Sequence, residues 1–173
     1  LRSKSGFIPV SLAAARGHLE IVRLLADNGA NLDLGMENGQ TPLQMAALNG
    51  HYNIVRLLVD KGANMDFANT SGPTPLFMSV QNGHLETVRF LVDMGADINL
   101  QNKRGNTAVF VAAAKGHIEI VRFLADKGAN IDLANKRLRT PMSVAALCGH
   151  YDLVRLLFDK GANLHLPDIV GWT

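Results

Sequence analysis

The chain is nearly without cysteine. Its single thiol, Cys148, excludes an internal disulfide framework and fits a reducing compartment. It also lacks an excess of either charge. Seventeen Lys+Arg stand against 15 Asp+Glu, a formal net charge of +2, which argues against a general nucleic-acid binder. Aromatic residues make up only 6%, too few for the interleaved stacking platform of a single-strand binder. No run of about 18 apolar residues is present, so no helix is expected to span a membrane. No signal peptide is visible. The sequence begins at Leu1 without a methionine, so its true start is expected upstream.

What is present is one phrase, repeated. Its cleanest copy is Gly39-Gln40-Thr41-Pro42-Leu43-Gln44-Met45-Ala46-Ala47-Leu48-Asn49-Gly50-His51, followed by Ile54-Val55-Arg56-Leu57-Leu58 and Gly62-Ala63-Asn64. Gly-His recurs at Gly17, Gly50, Gly83, Gly116 and Gly149, always 33 residues apart. Gly-Ala recurs in the same phase from Gly29 to Gly161. A fixed period in this range indicates stacked repeats rather than a globule.

Each repeat predicts two short helices. Threonine caps a helix start and proline suits its first position. A helix is expected over roughly Thr41 to Asn49, stopped by Gly50, and a second over His51 to Lys61, stopped by Gly62. Ile54, Val55, Leu57 and Leu58 fall on one face of the second. The small pair Ala46-Ala47 allows close stacking; it recurs as Ala13-Ala14, Ala112-Ala113 and Ala145-Ala146 but becomes Ser79-Val80 in the third repeat. On the second helix, Arg23, Arg56, Arg89, Arg122 and Arg155 share one position, with Asp27, Asp60, Asp93, Asp126 and Asp159 four residues on. This ladder reads as a solvated face of helix-surface pairs.

These residues resemble the ankyrin repeat family, over nearly the whole chain. The resemblance implies an all-α fold, an α-solenoid of stacked helix–turn–helix repeats joined by β-hairpin loops. The expected repeats are 3–35, 36–68, 69–101, 102–134 and 135–167, a single array with the start of a sixth at 168–173, cut from a longer array. It implies a non-enzymatic protein-recognition module, with no cofactor and a monomeric array. The alternative is a structural spacer within a long array. An intracellular, cytoplasmic location is expected from cysteine usage.

Catalytic and metal readings fare poorly. His18, His51, His84, His117 and His150 occur one per repeat. Adjacent repeats lie about a helix diameter, ~10 Å, apart, whereas zinc ligands sit near ~2 Å from the metal. These histidines are expected to start the outer helices and bond locally. Cys148 and His150 fall at a helix–helix turn without a matched acid or oxyanion site. The glycines other than the isolated Gly35 are accounted for by the repeat, so no phosphate-binding loop remains.

Departures from the family pattern are more informative. The histidine usual after Thr-Pro-Leu is replaced by Ser11, Gln44, Phe77, Phe110 and Ser143. The loop glycine, present as Gly6, Gly39, Gly72, Gly105 and Gly171, is Leu138 in the fifth repeat. Leucine resists positive φ, so either that loop is reshaped or the position accepts negative φ; simple drift is the bland explanation.

In the family, partners usually meet the loop tips and the exposed side of the inner helices. The resemblance carries this onto the tips Lys4-Ser5-Phe7, Glu37-Asn38-Gln40, Thr70-Ser71-Pro73, Lys103-Arg104-Asn106 and Lys136-Arg137-Arg139, of which the last two hold the cations Lys103, Arg104, Lys136, Arg137 and Arg139. On their inner helices it selects Ala114, Lys115 and Leu147. Six cations on one wall suit an acidic or phosphorylated segment of a partner protein. A merely solubilising tip is the alternative. Lastly, Leu91 with Asp97-Ile98-Asn99 resembles the substrate pattern of the hypoxia-pathway asparaginyl hydroxylase, which marks Asn99 as a modification candidate.

Overall fold

A computed structural model describes residues 8–67 and 72–164. The tip residues Lys4, Ser5, Phe7, Thr70 and Ser71, and the sixth repeat expected at 168–173, lie outside these. Two compact units make up the chain, the first ending at Ala96 and the second beginning at Asp97.

The first unit contains α1 (Pro9–Arg16), α2 (Leu19–Asp27), α3 (Pro42–Leu48), α4 (Tyr52–Asp60), α5 (Pro75–Gln81) and α6 (Leu85–Asp93). The second contains α7 (Ala108–Lys115), α8 (Ile118–Asp126), α9 (Pro141–Leu147) and α10 (Tyr151–Asp159). Odd-numbered helices are the inner ones. Their starts are built by threonine: the hydroxyls of Thr41, Thr74, Thr107 and Thr140 accept the N–H three residues on, at 3.2–3.3 Å. At α3 the cap is reciprocal, because Gln44 Oε1 accepts the Thr41 N–H at 2.9 Å. Gly50 closes the turn after α3 at φ 71°. It also has no room for a side chain, since a Cβ there would lie 2.6 Å from His84 Nδ1.

Within the first unit α1 packs on α3 and α3 on α5, while α2 packs on α4 and α4 on α6. Within the second, α7 packs on α9 and α8 on α10. Ala46 and Ala47 are fully buried where the inner helices meet, and Val55 and Leu58 are fully buried beneath the outer ones. Each such leucine or valine contributes about 1.5–3 kcal/mol. No single helix pair encloses such a core, so the neighbouring pair completes it. The Ser79-Val80 departure costs little, because the buried Ser79 hydroxyl donates to the Leu76 carbonyl at 2.8 Å.

Three expectations are corrected. First, no β-strand forms among the described residues. Each of the loops at 36–40, 102–106 and 135–139 closes through two backbone bonds, such as Met36 N–H to Gln40 O and Gly39 N–H to Met36 O. Asparagine side chains satisfy the donors that a longer ladder would have used: Asn38 Oδ1 accepts from Gln40 N–H at 3.0 Å. Second, the histidines do not all bond locally. His51 Nε2 meets the Ala15 carbonyl at 3.2 Å and His84 Nε2 meets the Leu48 carbonyl at 3.0 Å, each in the preceding repeat. Third, the charge ladder is only partly intrahelical. Arg56 pairs with Asp60 four residues on, as expected, while Arg23 pairs with Glu20 and Arg122 with Glu119. Asp27, however, takes Lys61 of the next repeat at 2.7 Å, and Asp126 likewise takes Lys160.

Candidate functional site

The second unit carries a pocket of about 410 Å³ between two loops. Lys103, Arg104, Lys136, Arg137 and Arg139 line it, together with Asn106, Asn135, Phe110 and Val144. Phe110 and Val144 are buried and form an apolar floor. Among the described residues, no carboxylate lines the pocket. Among the described residues, no ion pair engages these five cations.

The loops that hold the cations are built alike and locked together. Asn102 N–H donates to Asn106 O at 3.0 Å, and Asn135 N–H donates to Arg139 O at 2.9 Å. Asn102 Oδ1 accepts from the N–H groups of Arg104 and Asn106. Asn135 Oδ1 does the same for Arg137 and Arg139, at 2.9 and 3.1 Å. Lys136 N–H then donates across to Arg104 O at 3.0 Å. That approach requires Gly105, where a Cβ would stand 2.7 Å from Lys136 N.

Leu138 resolves the question left by its sequence. It adopts φ 57°, alone among the described non-glycine residues in being positive. The loop is neither reshaped nor moved to negative φ. The paired bonds from Asn135 on either side of Leu138 fix the turn, and the leucine takes the backbone conformation of the glycine it replaces. That conformation costs an L-residue about 1–2 kcal/mol.

The other expected site residues fall beside the pocket rather than in it. Ala114 and Leu147 sit one turn beyond Phe110 and Val144, on the faces of α7 and α9 that supply the pocket floor. Leu147 is exposed, Ala114 half-buried, and Lys115 is exposed at the end of α7. Val144 and Asn135 were not singled out by the sequence. The signal for Asn135 was there, since it stands 33 residues after Asn102 in the same loop position. Asn99 lies outside the pocket. Its Oδ1 accepts the Asn130 N–H at 2.9 Å, just as Asp33 Oδ1 accepts from Asn64 and Asp132 Oδ1 from Asn163. Cys148 is exposed. No group of three or more metal-ligating side chains is found among the described residues.

The first unit offers a different surface. A groove of about 470 Å³ is lined by residues including His51, Tyr52, Asn53 and Glu86, with no cation concentration.

The model for ankyrin repeats (three copies) matches residues 10–102 and 76–168. The chain therefore belongs to the ankyrin repeat family. Repeats of this kind are generally protein–protein interaction modules, and the family is typically non-enzymatic. No similar curated protein was found. Among the described residues, no helix is long and apolar enough to cross a membrane.

Proposed function

We propose that this chain is a recognition module whose second compact unit binds an acidic or phosphorylated segment of a partner protein. The observation that carries this reading is the pocket of five cations over an apolar floor, with no acid among the described residues of its lining. Burying the partner's anions against arginine forks gives charge-assisted bonds that lysine-only surfaces match less well. Lys115 extends the positive wall, and Leu147 and Ala114 supply apolar contact beside it. The module works as a monomeric array of five repeats running into a sixth, in the cytoplasm, and uses no cofactor.

The test is a pull-down at low and high salt with the chain and a variant carrying R104E, R137E and R139E. A partner held at low salt, weakened at high salt and lost from the variant supports the reading. A partner indifferent to salt and charge reversal moves the site to the neutral first unit. No partner in any arm favours a spacer. Asn99 is exposed and remains our modification candidate; intact mass after incubation with the asparaginyl hydroxylase tests it, and an unchanged mass removes it.

A further inference from the structure

We propose that Leu138 is an apolar anchor for the bound segment, so that the partner carries aliphatic or aromatic side chains beside its anionic residues. This rests on the acidic-segment reading above and names the second half of the recognition.

The fifth loop keeps a leucine where Gly39, Gly72 and Gly105 stand at positive φ. The leucine accepts the backbone cost of that conformation. It regains little by packing, since Leu138 is 51% exposed. A tip that only needed to be soluble would be better served by glycine or asparagine. Leu138 is also placed and held for contact. Its neighbours Arg137 and Arg139 line the pocket, and Asn135 binds the backbone of both. A side chain on a turn already ordered loses little freedom on binding, which favours affinity.

Leu147 provides the second end. It is 65% exposed and lies one turn beyond Val144, which lines the pocket floor. Leu138 stands two residues before the Thr140 cap of α9 and Leu147 is its last residue, so the helix between them, of seven residues, rises about 10 Å. An extended segment covers that distance in about three residues. The segment that fits presents an apolar side chain, a short anionic run over the cations, and a second apolar side chain.

Two fluorescein-labelled peptides test this against the full chain by polarisation. One is a short run of glutamates flanked on each side by leucine; the other replaces both leucines by serine. The chain is expected to bind the leucine peptide roughly tenfold more tightly, the effect of burying about one aliphatic side chain. L138G, whose glycine suits the turn and whose folding is checked by its melting temperature, should bind the serine peptide as the parent does. Its leucine preference should fall from roughly tenfold to roughly threefold, the share that Leu147 keeps. Equal binding of the two peptides by the parent overturns the inference, as does an undiminished preference in L138G. Binding of neither peptide by the parent overturns the acidic-segment reading itself.

Discussion

Asn135 Nδ2 donates to Asn106 Oδ1 at 2.8 Å, joining the two loops that carry the cations of the second unit. The same side chain holds the backbone of Arg137 and Arg139 through its oxygen. Asn135 therefore sets both the shape of the fifth tip and its distance from the fourth. Asn135→Ala should cost about 1–2 kcal/mol, because it strands two backbone donors and the half-buried amide oxygen of Asn106. Hydrogen exchange at 136–139 should speed up with it. Asn135→Asp keeps the two accepted bonds and should lose less. An alanine variant with parental stability and exchange would show that the loops lock by other means.

Leu138→Gly tests the backbone directly. Relieving the positive φ of Leu138 should return about 1 kcal/mol, with part offset by the greater freedom of glycine in the unfolded chain. The melting temperature should rise by about 2–4 °C. A fall would mean that the leucine side chain is packed more strongly than its exposure indicates.

Gln44 is a buried polar side chain with its bonds met. Its Nε2 donates to the Phe67 carbonyl at 3.0 Å and the Pro73 carbonyl at 2.7 Å, and its Oε1 completes the cap with Thr41. Gln44→Leu should destabilise the chain by about 2–4 kcal/mol, from unpaired carbonyls and a weakened helix start. Thr41→Ala, which removes only the hydroxyl's share of the cap, should cost about 1 kcal/mol. Urea unfolding of the pair ranks them, and the reverse order would sink this account.

Asp27 responds to acid. The hydrogen bond from Lys61 holds its carboxyl below the ordinary value of 3.8, aided by the charges of Lys61 and Arg23 and opposed by desolvation. A carboxyl lowered by folding contributes stability that is present above its unfolded pKa and lost as pH falls through its folded one. The stability difference between the parent and Asp27→Asn should thus be present at neutral pH and vanish on strong acidification. Melting curves across that range decide it; a difference that grows with acid contradicts the assignment. High salt should shrink it as well, since the pair is solvent-exposed.

The helices were legible because their punctuation is local. Thr41 and Asn49, expected at the ends of a helix, are the caps of α3, one residue outside its bounds. The grouping of Lys103 and Arg104 with Lys136, Arg137 and Arg139 followed from the period, which sets equivalent loop positions side by side. What escaped the sequence was chosen by distance in space. His51 and His84 reach a carbonyl 36 residues back, which depends on how closely the inner helices stack. Asp27 had Arg23 within reach on its own helix and took Lys61. Leu138 could not be resolved from propensity alone, since its conformation is imposed by Asn135 at the base of the turn.

The bonds between neighbouring repeats run at fixed offsets: 31 residues from Asp33 to Asn64, 36 from Ala15 to His51, and 34 from Asp126 to Lys160. Surface loops ordinarily absorb the gain or loss of a residue without harm. Here a single added residue inside a repeat would put the side chains beyond it out of step with partners already fixed. Descendants of this gene should accordingly change length by whole repeats, through duplication or loss, while point substitutions that keep such a bond pass, as Asn99 does where Asp33 and Asp132 stand in other repeats.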